Sequence, residues 1–154
     1  MNQKMTHAVG RTRRAAFTLI EVLIVVIIMA VLAATIVPQF TDSTDDAKSS
    51  TSQFNLHTMR SIIELYKAQH NGRAPGADLS ELTTTTDADG NKGSGAGFPY
   101  GPYLQAIPYN PFTDSNTVAA PAAVPPNAVV DGAGWLYDAA TGQIWINHAD
   151  YLSK

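Results

Sequence analysis

The sequence predicts an α+β protein: a long amino-terminal helical region, apolar in its first half and amphipathic in its second, packed against a small carboxyl-terminal antiparallel β-sheet. Three observations carry that prediction. Phe17 to Val37 is apolar apart from Thr18, Glu21 and Thr35. Phe54, Met59, Ile62, Ile63 and Tyr66 then recur near helical spacing. Near the other end, Gly134-Trp135-Leu136-Tyr137-Asp138 and Gln143-Ile144-Trp145-Ile146-Asn147 flank a turn-forming stretch, Asp138 to Gly142.

The chain has 154 residues, a length suited to one modest domain. Cysteine is absent, which excludes a disulfide framework, a thiolate metal site and a cysteine nucleophile. The formal charge of -3 gives no general electrostatic case for nucleic-acid binding. A mean hydropathy of -0.06 averages two unlike regions and conceals the apolar one.

The first element is the apolar run. Residues 1–16 contain Lys4, Arg11, Arg13 and Arg14 and no acid. The 21 residues from Phe17 to Val37 would span about 31 Å as a helix, close to the roughly 30 Å hydrocarbon core of a bilayer. The run shows no alternation and is too long for a buried strand. A membrane-spanning helix fits, with the basic leader held in the cytoplasm and the carboxyl side sent across. A conventional signal peptide cut near Ala33 and Ala34 is the competing reading. Against it stand the length of the run and the carboxylate of Glu21 near its start. An ionisable group inside such a segment costs on the order of 3 kcal/mol at the bilayer centre and less near an interface. Glu21 therefore either sits at headgroup level or meets a cation, and a neighbouring chain's α-amino group would suit it.

Ala16-Phe17-Thr18-Leu19-Ile20-Glu21-Val22-Leu23 resembles the class III signal of type IV pilins and type II secretion pseudopilins. The resemblance implies a pilin-like fold and cleavage by a prepilin peptidase between Ala16 and Phe17, before the apolar run rather than after it. It also implies N-methylation of Phe17 and pairing of Glu21 with the amino group of an adjacent subunit, which sets assembly register. Pro38 falls where the family commonly has a proline. The residue before the cut is glycine in the family and Ala16 here. Helix one would then run from about Phe17 to about His70. The expected divisions are a removed leader at 1–16, a membrane and filament-core helix at 17–37, its amphipathic continuation at 38–71 and a globular head at 72–154.

Beyond the apolar run, Pro38 removes a backbone donor and clashes with the preceding turn, so a kink is expected there. Thr41 to Gln53 is rich in Thr, Ser and Asp, poor interior helix formers. Ser43 with Asp46 has capping-box spacing, which would allow a fresh start. The amphipathic stripe follows, with Glu64 and Lys67 placed to pair and Asn71-Gly72 placed to stop the helix. Asp78 to Leu82 suits a short helical turn. Asp87-Ala88-Asp89-Gly90-Asn91-Lys92-Gly93 has calcium-loop composition but fails EF-hand spacing at Lys92 and Phe98, so it is read as a solvated loop.

Prolines at 99, 102, 108 and 111 fix extended and turn conformations, and Phe98, Tyr100, Tyr103, Tyr109 and Phe112 are placed to pack this segment on the helix. Its Gly-Pro-Tyr-Leu and Pro-x-x-Pro pattern resembles that of the major pseudopilin. Val118 to Asn127 reads as a surface connection. In the closing hairpin Gly142 is suited to positive φ, and Trp135 and Trp145 are read as core.

No nucleotide-binding glycine signature is present, and His7, His57, His70 and His148 lack zinc-type spacing. The sequence therefore points away from an enzyme and assigns no catalytic residue or metal ligand. By resemblance, the chain is a structural subunit of a type II secretion pseudopilus in the bacterial inner membrane, its head in the periplasm. It would self-assemble into a helical filament. The implied partners are prepilin peptidase, the inner-membrane assembly platform, minor pseudopilins and, before assembly, lipid. No cofactor is expected; some relatives hold calcium in a carboxyl-terminal loop, but no ligands can be matched here. A surface pilus for adhesion, motility or DNA uptake is the alternative, and a secreted domain a third. Four of the ten Lys and Arg would leave with the leader, so six would face 13 acids, which disfavours nucleic acid.

Overall fold

The computed structural model describes residues 17–152, the side chains of residues 36–42 excepted. The leader and Ala16 lie outside the described residues. The chain divides into two units, one ending at Asp42 and the other beginning at Ser43.

Helix α1 runs Leu19–Gln69, 51 residues, within two of the expected start and one of the expected end. No new helix begins at Ser43, which lies inside α1. The Thr, Ser and Asp stretch costs only about 0.5 kcal/mol per residue in propensity. Adding a residue to an existing helix is far cheaper than nucleating a second one. The kink expected at Pro38 falls among the residues whose side chains are not described. At its carboxyl end the helix stops as the sequence predicts. Asn71 and Gly72 take positive φ of 55° and 82°, and the Gly72 amide donates back to the Lys67 carbonyl at 2.8 Å.

In the second unit α1 buries Ser52, Leu56, Met59, Ile63 and Tyr66, and His70, just past its end, continues the stripe, spaced alternately four and three apart. Met59, Ile63 and Tyr66 are as expected, with Ile62 partly buried at the margin. Phe54 is a correction: it is 71% exposed. It stands two residues from both Ser52 and Leu56, about 200° around the helix from each. Phe54→Ser should therefore change the unfolding free energy of the head by less than ~0.5 kcal/mol, as read by urea titration. In the same urea titration Met59→Ala should lose about 2–5 kcal/mol.

The sheet has three strands, β1 Val118–Ala119, β2 Trp135–Asp138 and β3 Gln143–Ile146, in the order β1-β2-β3. The expected hairpin is present, with Trp135 opposite Ile146 and Asp138 opposite Gln143. Asp138 shapes its turn by accepting from the Ala140 and Thr141 amides and the Thr141 hydroxyl, and Gly142 has φ of 74°. These hydrogen bonds, the Thr141 hydroxyl foremost, hold the Asp138 carboxyl below its usual range.

Two expectations change. The sheet is mixed, because β1 pairs parallel to β2, and Val118-Ala119 is therefore a strand rather than mere connection. The Thr117 carbonyl accepts from the Gly134 and Trp135 amides, which is what draws this segment in. Of the aromatics between 98 and 112, Tyr103 and Phe112 pack on the core with Leu104 and Ile107, whereas Tyr109 is exposed.

Trp135, Tyr137, Ile144 and Ile146 join the α1 stripe in one core, while Leu136 and Trp145, also buried, belong by strand alternation to the opposite sheet face. Asn110, fully buried, ties the pieces together: its Nδ2 donates to the Gly134 carbonyl at 2.8 Å, and its Oδ1 accepts from the Phe112 amide and the Ser52 hydroxyl. Arg60 caps the outer side of β3, donating through Nε and Nη2 to the Ile144 carbonyl.

Candidate functional site

The candidate site lies in the first unit, at the start of α1. The helix begins there because Thr18 and Glu21 form a capping box. The Thr18 hydroxyl accepts from the Glu21 amide at 3.3 Å, and a Glu21 carboxylate oxygen accepts from the Thr18 amide at 3.4 Å. The Thr-x-x-Glu spacing that signals this cap is visible in the sequence, and it makes Glu21 a capping residue as well as a charge in an apolar run. Both bonds are long beside the usual 2.7–3.2 Å for N–H···O. Only Oε2 is engaged, so the second carboxylate oxygen has no partner among the described residues. A carboxylate in the first turn is also favoured by the helix dipole.

Around this polar point the surface is apolar on every side. Phe17 is 80% exposed, and each large side chain from Leu19 to Leu32 is exposed as well. A helix that is hydrophobic all round belongs in lipid or inside an assembly rather than in water. So large a contiguous exposed apolar surface marks an interaction site. Among the described residues no helix is long and apolar enough to cross a membrane. The described side chains of this stretch end at Thr35, and the expected span runs on to Val37.

The predicted site residues are thus distributed plainly. Phe17 and Glu21 fall in the opening turn, with Thr18 between them. Ala16 precedes the described residues, and Pro38 lies where side chains are not described. In the second unit, the calcium-like loop is closed on itself. The Asp87 carboxylate accepts from the Asp89 and Asn91 amides and from the Asn91 side chain. Those bonds, the Asn91 side chain first, depress the Asp87 carboxyl.

Comparison with known proteins gives the class first. Residues 11–37 match the prokaryotic N-terminal methylation motif. The type II secretion system core protein G of Pseudomonas aeruginosa is 35% identical over 57 residues, covering 37% of this chain and 40% of that one. The proteins of the same name from Klebsiella pneumoniae and Aeromonas hydrophila are each 25% identical, over 109 and 115 residues. Those alignments cover 71% and 72% of this chain and 76% of each relative. No solved structure matches. These matches bear out the resemblance to the type IV pilin and type II secretion pseudopilin class, and within it to the major pseudopilin.

Proposed function

We propose that the chain is a structural subunit of a type II secretion pseudopilus. It would be inserted in the inner membrane, cut by prepilin peptidase before Phe17, methylated there and assembled through the amino-terminal half of α1. The observation that carries this reading is the all-round apolar helix surface in which, among the described residues, Glu21 is the one ionisable group and its carboxylate is half-satisfied. A helix keeps its backbone hydrogen bonds when it trades lipid for like helices, so the same segment serves as anchor and as filament core. Glu21 then sets axial register, because a carboxylate left unpaired in that core is penalised. The head stays periplasmic, and the role is structural rather than catalytic. The assembly platform and minor pseudopilins are the partners this role requires.

The experiment is complementation. The chain is produced in a type II secretion strain that lacks its own major subunit, and release of a secreted protein is measured. Restored secretion is expected. Filaments at the cell surface with no restored secretion would overturn this reading in favour of a surface pilus.

Thr18→Ala separates the cap from the carboxylate. Loss of an N-cap oxygen costs a helix about 1 kcal/mol. The variant should lower filament yield several-fold, less than loss of Glu21 does, as read by sedimentation of sheared filaments. Equal losses from the two would show that the cap, not register pairing, dominates.

A further inference from the structure

The head is acidic: residues 43–154 hold 11 Asp and Glu against six Lys and Arg. Identical heads brought side by side therefore repel, except where the surfaces that meet carry no charge. No Asp, Glu, Lys or Arg occurs in residues 49–59, 93–113 or 115–130. Apart from Leu65, every large apolar side chain that the second unit leaves exposed lies in one of those stretches.

The first charge-free patch is aromatic. Phe54 stands on the side of α1 turned away from the sheet. The Asn55 side chain, one residue on, donates to the Tyr109 carbonyl at 3.2 Å. That bond holds Tyr109 beside the helix, and its ring is 59% exposed. Two exposed rings thus flank one fixed contact.

The second patch is the loop from β1 to β2. In residues 118–130 every residue but Asn127 is Val, Ala or Pro. Val124 and Val129 are half-exposed, and Ala122, Pro125 and Ala128 are exposed. Among the described residues, 121–129 make no hydrogen bond. The loop is nevertheless held at both ends. On one side β1 pairs with β2. On the other, Asn147 accepts from the Val130 amide at 2.9 Å and donates to its carbonyl at 2.6 Å. Prolines 121, 125 and 126 restrict the chain between them. A loop so constrained loses little entropy on docking.

The two patches are unlike, and they match. Proline and small aliphatic side chains pack on exposed aromatic rings, the mode in which proline-rich segments are recognised. The Tyr109 hydroxyl supplies a donor that a loop carbonyl can accept. A contact between unlike patches is heterologous: each copy offers its loop to one neighbour and its rings to another, which can repeat along an open filament.

We propose that, in the assembled filament, residues 118–130 of one head dock on the Phe54 and Tyr109 rings of a neighbouring copy. This rests on the filament reading above. The partner is a second copy because assembly brings identical acidic heads together, and these charge-free surfaces are where they can meet without repulsion.

The chain has no cysteine, so introduced thiols report without background. Phe54→Cys and Val124→Cys are combined in the full chain, produced in a type II secretion strain lacking its own major subunit. Sheared filaments are oxidised and separated without reductant. Both positions are exposed, so neither change touches the core. The double variant should give a ladder of linked multimers, at least about tenfold above either single variant, because a disulfide forms only between closely placed residues. The two single variants produced together should give dimers and nothing larger. Phe54→Cys combined with Asp89→Cys, on a charged loop, should give no ladder. Filaments at the usual yield without a ladder from the first pair would overturn the docking and leave the filament reading standing, the loop then belonging to a partner other than this chain. Disulfides within either single variant, or an equal ladder from the Asp89→Cys pair, would overturn it too. Failure of the unsubstituted chain to form filaments would defeat the filament reading, and the docking with it.

Discussion

Glu21→Val should leave the chain in the membrane and nearly abolish assembly. The substitution removes the one ionisable group from the described apolar stretch, so insertion becomes no harder; charge in such a segment only costs. Assembly is another matter. In the filament the carboxylate would meet a neighbour's α-amino group away from water. Removing one member of a buried pair costs about 3–5 kcal/mol, since the other is left charged and unmatched. That corresponds to a loss of about 10²-fold to several thousand-fold in each association step. Glu21→Gln keeps the shape and some hydrogen bonding and should fall between. The readout is the ratio of sheared filament to membrane-bound subunit. A normal ratio for Glu21→Val would remove register pairing from the account.

The second large effect is on the head. Trp135→Ala should destabilise it by about 3–5 kcal/mol, the range for deleting a large buried aromatic. Trp135 is fully buried at the strand shared by β1 and β3, and its indole N–H donates to the Pro108 carbonyl at 2.8 Å. The truncation would empty the space between α1 and the sheet and strand that carbonyl. Domains of this size hold only about 5–15 kcal/mol in total. The melting temperature of the head should therefore drop by at least about 10 °C, with early protease cleavage between residues 99 and 112. Trp135→Phe restores most of the volume but not the donor and should cost clearly less. An unchanged midpoint for Trp135→Ala would mean that the core is not closed where we place it.

Much of this architecture was legible because strong periodic signals met strong stop signals. The apolar run, the Asn71-Gly72 stop, the Glu64–Lys67 pair and the hairpin about Asp138–Gly142 all rest on local physics that tertiary contacts reinforce. What escaped is non-local. Phe54 is a better apolar residue than Ser52, yet the sheet lies over the Ser52 and Leu56 side of α1, and only packing reveals which side that is. Strand β1 is two residues long and exists because Thr117 finds the Gly134 and Trp135 amides, partners far away in sequence. Tyr109 carries its backbone carbonyl toward Asn55, which donates to it at 3.2 Å, and leaves its ring outside. At the candidate site the carboxylate stood out in the sequence, being the sole charge in an apolar run. Its hold on Thr18 was equally visible as Thr-x-x-Glu, but a reading that treats Glu21 as a lone charge looks past it.

The central claim is that the chain is cut ahead of its apolar helix so that Phe17 opens the mature subunit beside Glu21. Mass spectrometry of the amino-terminal peptide from membrane-extracted protein tests it most directly. The account predicts a chain that starts at N-methylated Phe17. A chain that starts near Ala34 or Thr35, or one that still carries residues 1–16, would contradict it.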